Sequence, residues 1–190
     1  MTRLLLLSLM LFSSCNYRSV SRISPNDRVD LSGRWNDADS DMVAEKMIEQ
    51  LVTSQQFLDY ARKSQDKPVI ITGMIYNKTS EHIDANNFVK KIEYAIFQSG
   101  VADLVESGEF RDKLRVERVN QSDFSSATTI SKWGDETGAD LMLFGEMTSE
   151  TDVYRKDRVV NYVTTLFLTD METNTRVWYG QHEIKKYIRN

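Results

Sequence analysis

The chain has 190 residues, of which 41% are hydrophobic and 27% charged, and its formal net charge is −4. That length suffices for one compact domain with a real core, and the composition is ordinary for a globular protein. The slightly acidic balance excludes the basic field that nucleic-acid binding requires.

The first fifteen residues, MTRLLLLSLMLFSSC, differ from the rest. Arg3 gives a short basic start, Leu4 to Phe12 form an apolar run, and the small Ser13 and Ser14 precede Cys15. The run falls far short of the ~20 residues that span a bilayer as a helix. It reads as a secretion signal and not as a transmembrane anchor. A small residue just before cysteine is the pattern of the bacterial lipobox, in which the thiol is diacylated and the cysteine becomes the new N-terminus. Phe12 stands where leucine is commonest. Cys15 is the only cysteine, so it has no internal disulfide partner, and lipidation gives it a use. Asn16 follows it, not the aspartate of inner-membrane retention, which points to the periplasmic face of the outer membrane. The expected division is a signal peptide over 1–14, a flexible tether over 15–29 and a single globular domain over 30–190. From Cys15 to Arg34 the tether reaches roughly 65–70 Å when fully extended, but only about 25 Å as a coil.

Asp30 to Leu51 is the organising stretch. Leu31 and Trp35 are apolar anchors around Gly33. Asn36, Asp37, Asp39, Ser40 and Asp41 then crowd a helix start, where free N–H groups and the helix dipole favour them. Met42, Val43, Met47, Leu51 and Val52 follow at helical spacing, predicting a helix from about Ser40 to Phe57, extending toward Tyr60. Lys63 to Pro68 links it to a β-branched run, Pro68 to Tyr76, that reads as a central strand. Asp84 caps a second helix over Ala85–Ser99, ended by Gly100. A short strand is predicted over Val101–Glu106, and helices over Glu109–Asn120 and Ser125–Thr137. Ala139 to Gly145 is a second central strand that continues in polar form through Glu150. Tyr154 to Arg158 form a charged hairpin tip, Val159 to Asp170 a long strand, Met171 to Thr175 a turn, and Arg176 to Ile188 the last strand. The order α-β-α-β-α-α-β-β-β predicts an α/β (α+β) domain with a mixed four- to five-stranded sheet packed with helices.

Reactive groups do not converge in the sequence. His82 and His182 lie far apart, and no zinc spacing, phosphate loop, nucleophile elbow or dinucleotide fingerprint is present. Asp37, Asp39 and Asp41 imitate the start of a calcium loop, but Met42 and Ile48 stand where that loop needs glycine and a bidentate glutamate. Helix capping accounts for them better. The glycine-flanked Gly134–Gly138 run is read as a helix end. No enzyme, cofactor or metal is expected, and a cell-wall hydrolase lacks an acid/base pair. What remains are aromatics in the closing strands, Tyr154, Tyr162, Trp178, Tyr179 and Tyr187. Beside arginine, exposed ones make interaction anchors. The expected partner surface is the outward face of the last three strands with the tip: Tyr154, Arg155, Arg158, Tyr162 and Tyr179.

The run Leu31-Ser-Gly-Arg-Trp-Asn-Asp-Ala-Asp-Ser40, followed by Met42 to Ile48, resembles the N-terminal signature of the LpoB family. Ile83-Asp84-Ala85, Gln98-Ser-Gly100 and Gly138 to Gly145 add to the likeness, and the last also resembles the CsgG group. The resemblance implies a domain like the N-terminal domain of TolB and a non-catalytic outer-membrane lipoprotein. It further implies that this lipoprotein binds and activates a bifunctional penicillin-binding protein, a peptidoglycan synthase. A monomer is expected. The short polar tether departs from the long Pro-rich one of well-known members. The alternative is a CsgG-like secretion or assembly lipoprotein. That reading needs additional amphipathic hairpins, for which Val159–Ile188 is the only candidate.

Overall fold

The structure, a computed structural model, describes residues 19–24, 27–64, 66–124 and 136–189. Cys15, the expected signal peptide and most of the helix expected over Ser125–Thr137 lie outside them. The elements run α1 (Asp37–Thr53), α2 (Gln55–Lys63), β1 (Val69–Asn77), α3 (Ala85–Ser99), β2 (Asp103–Val105), α4 (Gly108–Phe124), β3 (Leu141–Tyr154), β4 (Asp157–Asp170) and β5 (Arg176–Arg189). The expected mixed sheet is present, with five strands in the order β2-β1-β3-β4-β5. β1 lies parallel to β2 and β3, as helical crossovers require, while β3, β4 and β5 form the antiparallel meander. Both strands of the Val159–Ile188 meander are used within this sheet. Among the described residues no helix is long and apolar enough to cross a membrane.

The single first helix expected from Ser40 to Phe57 is two helices. The backbone of Ser54 is extended, at φ −69° and ψ 121°, and its hydroxyl accepts the N–H of Phe57, so it caps α2 as α1 ends. The hydroxyl competes for backbone groups, and apolar periodicity carries no trace of that competition. α1 itself begins earlier than expected. Asn36 accepts from the N–H of Asp39, and Asp39 returns the bond to the N–H of Asn36, a reciprocal cap. At α3 the sequence signals hold: Asp84 accepts from Asn86 and Asn87, and Gly100 closes the helix at φ +66°.

One face of the sheet carries the core. Ile70, Leu141, Leu143, Met147, Leu166, Leu168 and Trp178 pack there against Val43, Met47 and Leu51 of α1, Phe57 of α2 and Phe88, Ile92 and Ile96 of α3. Gly145 sits in this layer because a Cβ there would fall 2.4 Å from Leu166 Cδ2 and 2.7 Å from the Thr165 carbonyl oxygen. Thr164 shares the face, and its buried Oγ1 has no hydrogen-bond partner among the described residues. Thr164→Val keeps the shape and removes the orphan hydroxyl. It is expected to raise the unfolding free energy by about 1 kcal/mol, read as a higher urea midpoint at unchanged slope. A lower midpoint would mean that the hydroxyl is satisfied in solution.

Candidate partner surface and its supports

Alternation along β4 decides which side chains can meet a partner. Val160, Tyr162, Thr164, Leu166 and Leu168 are buried on the core face, and the residues between them point the other way. Two of the five expected contact residues therefore turn inward. Tyr162 is 1% exposed; a side chain so covered has no area to offer, and its place in the expected surface is corrected. It packs edge-on against Trp35, centroids 5.5 Å apart, and its hydroxyl donates to Glu81 Oε1 at 2.8 Å. Arg158 follows the same parity. Its guanidinium lies 3.5 Å from Glu81 Oε1, and its Nε is buried without a hydrogen-bond partner among the described residues. Its side chain is 31% exposed, and its charge is engaged by Glu81.

Glu81 is the hub of this inner cluster. Its second oxygen accepts the backbone N–H of Trp35 at 3.1 Å. Burial, and then the bond to the Glu81 carboxylate, hold the Tyr162 phenol well above its ordinary pKa. A second cluster lies alongside. Lys186 of β5 reaches Asp39 at 2.6 Å and Asp30 at 2.7 Å, and donates to the Arg34 carbonyl at 2.8 Å. Burial opposes the ammonium charge, but the hydrogen bonds to Asp30 and Asp39 outweigh it and raise the Lys186 pKa. Trp35 donates its indole N–H to Ser40 Oγ at 2.8 Å and packs edge-on against Phe88. The stretch from Asp30 to Ser40 is thus a clasp that ties the start of α1 to β4 and β5. Of the aspartates that imitate a calcium loop, Asp39 serves the helix cap and Lys186, and Asp41 pairs with Lys91.

The outward residues fall into two groups. At the tip, Tyr154 is 68% exposed and the guanidinium of Arg155 lies 5.2 Å from the centre of its ring. Arg155 turns the chain in the left-handed region at φ 55°, a backbone form that suits glycine better. Tyr179 belongs to the other end of the same face. It stands opposite Phe167 in the β4–β5 register, and Phe167 stands opposite Phe144. Phe144 and Phe167 are tilted against each other with centroids 5.9 Å apart. Arg176 covers this platform, 4.1 Å from the centre of Phe167 and 5.7 Å from that of Tyr179. Ten residues of β3 separate Phe144 from Tyr154, about 33 Å along the strand, so tip and platform are two separate groups on this face. The platform was missed in the sequence because Phe144 and Phe167 sit inside apolar runs that read as wholly buried.

Among the described residues no group of three or more His, Cys, Asp or Glu is placed to hold a metal ion. A model of the family described as peptidoglycan-synthase activator LpoB matches residues 39–184. The chain belongs to this family. The LpoB family is one of activators rather than of catalysts. No curated protein matches the chain at a significant level. Similar solved structures include the LpoB C-terminal domain from Salmonella enterica, at 12% identity and TM-score 0.45, with 77% of this chain and 98% of that one covered. The LpoB C-terminal domain from Escherichia coli is similar at 13% identity and TM-score 0.43, with 80% and 99% covered. Lipoprotein GNA1162 from Neisseria meningitidis follows at 14% identity and TM-score 0.40, with 63% and 83% covered.

Proposed function

We propose that the chain is a lipoprotein anchored through Cys15 in the outer membrane, on its periplasmic face, that binds and activates a bifunctional penicillin-binding protein. The family match over residues 39–184 carries this reading. The lipobox pattern ending at Cys15 supports the anchor. The exposed Tyr154 and Arg155 at the tip, with Tyr179 on the same face, supply the aromatic and cationic groups that dominate protein interfaces. The tether is short, so the monomeric domain stays close to the membrane, and the synthase must project outward to meet it.

The test adds the full chain, held in detergent micelles, to each bifunctional synthase of the source organism while glycan polymerisation is followed. A rise with one synthase supports the reading, and no rise with any sinks it. Arg155→Glu is expected to weaken the effect by about tenfold, the loss of one interface anchor, with an unchanged urea midpoint. Full stimulation by Arg155→Glu would remove the tip from the interface.

A further inference from the structure

The flank of the sheet opposite the meander holds a second candidate site. β2 pairs only with Val69, Ile70 and Ile71. Among the described residues, that side of β1 has no neighbouring strand from Thr72 onward, while its other side continues along β3 to Asn77. Among the described residues, no hydrogen bond other than those of the β1–β3 pairing reaches the backbone of Gly73, Met74, Ile75 or Tyr76. The register with β3 shifts between Thr72 and Ile75, so that pairing is interrupted by a bulge while the opposite side of the strand stays open. Gly73 sits in this irregular stretch: a Cβ there would lie 2.9 Å from the Leu143 carbonyl oxygen and 3.0 Å from the Phe144 ring.

Alongside this edge runs α3, and between them lies a groove of 510 Å³ whose walls include Gly73, Met74, Tyr76, Asn86, Val89 and Phe110. A second cavity of 340 Å³ shares Lys90, Glu93 and Phe110 with it and continues toward Leu104 and Glu106. Met74, Tyr76 and Phe110 are 60%, 52% and 55% exposed.

We infer that this groove takes an extended peptide segment of a partner protein, added to the sheet as a strand along Gly73–Tyr76 and held against α3. Three observations define the occupant. Unpaired backbone groups at a strand edge are satisfied by another extended backbone. The exposed Met74, Tyr76 and Phe110 match apolar side chains at alternate positions of that strand. Glu93 is engaged by Lys90 and Thr72, but Glu106 and Glu109 have no ion pair among the described residues. A lysine or arginine on the segment answers them. The groove lies on a different flank from the hairpin tip and does not depend on the synthase reading.

The experiment uses the full chain, isotope-labelled and held in detergent micelles, with an acetylated and amidated octapeptide that alternates valine with lysine. The control peptide carries proline in place of every valine, which removes half of its backbone N–H donors and the regular strand pairing that needs them. Saturable shifts of the amides of Thr72–Tyr76 and Asn86–Glu93 are expected. Binding should weaken by about tenfold with the proline peptide, with Met74→Asp and with Glu109→Lys, a loss typical of one removed anchor. Met74 and Glu109 are exposed, so unchanged amide positions at the Tyr154 hairpin will show that both variants fold. No shift at millimolar peptide, equal binding of the proline peptide, or shifts confined to the β5 edge would overturn the proposal. Shifts of the same amides with protein concentration alone would overturn it in favour of a second copy of this chain.

Discussion

Lys186→Met is expected to lower the unfolding free energy by about 3–5 kcal/mol, the range for removing one partner of a buried ion pair. The size follows from what stays behind. Lys186 is 8% exposed and Asp39 4%, so the substitution leaves a carboxylate inside the domain without its cation. Asp39 keeps the N–H of Asn36 at 2.9 Å, which offsets part of the loss but none of the charge. Urea denaturation measures the effect as a drop in midpoint at constant slope. Asp39→Asn made in the same chain should restore part of it, because two residues in one network do not act additively. Additive losses would show that the pair does not act as a unit.

The same clasp sets a pH dependence. The folded-state pKa of Asp30 lies below its ordinary 3.8, because of the hydrogen bond from Lys186 and then that from the Gly33 N–H. A depressed carboxylate contributes stability above its unfolded pKa, and that stability is lost as pH falls through the folded value. Lys186 is raised above 10.5, so its contribution is present below that value and is lost as pH rises through the folded one. Stability should therefore fall at both extremes, and Lys186→Met should flatten both limbs. Tyr60 adds to the alkaline limb: burial, and then its bond to Asp170, push its phenol up to about 12.

Much of this architecture is legible in the residues. β1 stands out as a β-branched run, α3 carries its own cap and stop, and the meander follows from long alternating strands. The Ser54 break is not legible, because a serine within a helical pattern carries no sign of whether its hydroxyl faces solvent or caps the next helix. The exposure of the five residues expected at a partner was partly legible. Tyr154 and Arg155 read correctly as a tip because a turn exposes whatever it carries. Tyr162 did not, although the signal was present: it shares parity with Val160, Leu166 and Leu168, and a period of two assigns it to their face. Arg158 has the same parity, and its charge concealed its position. The role of the Asp30–Ser40 signature was also hidden, since its partners Glu81, Tyr162 and Lys186 are remote in sequence.

Glu81→Ala is the second large effect, expected to cost about 3 kcal/mol. The substitution removes the acceptor of the Tyr162 hydroxyl and of the Trp35 N–H, and it leaves the partly buried Arg158 charge without its counterion. Tyr162→Phe removes only one of these bonds and should cost about 1 kcal/mol. Tyrosinate absorbance offers a second readout. With Glu81 in place the Tyr162 phenol resists ionisation, and Glu81→Gln, which withdraws the negative charge, should make it ionise at lower pH. An unchanged titration would place the Tyr162 hydroxyl elsewhere than on Glu81. The distinction bears directly on mapping the partner. Arg158→Ala disturbs the Glu81 cluster and is expected to reduce stability and synthase stimulation together. Arg155→Glu, three residues away in sequence but outside the fold's own network, should reduce stimulation alone. Only a loss of the second kind locates a contact, since the first is what any break in the clasp produces.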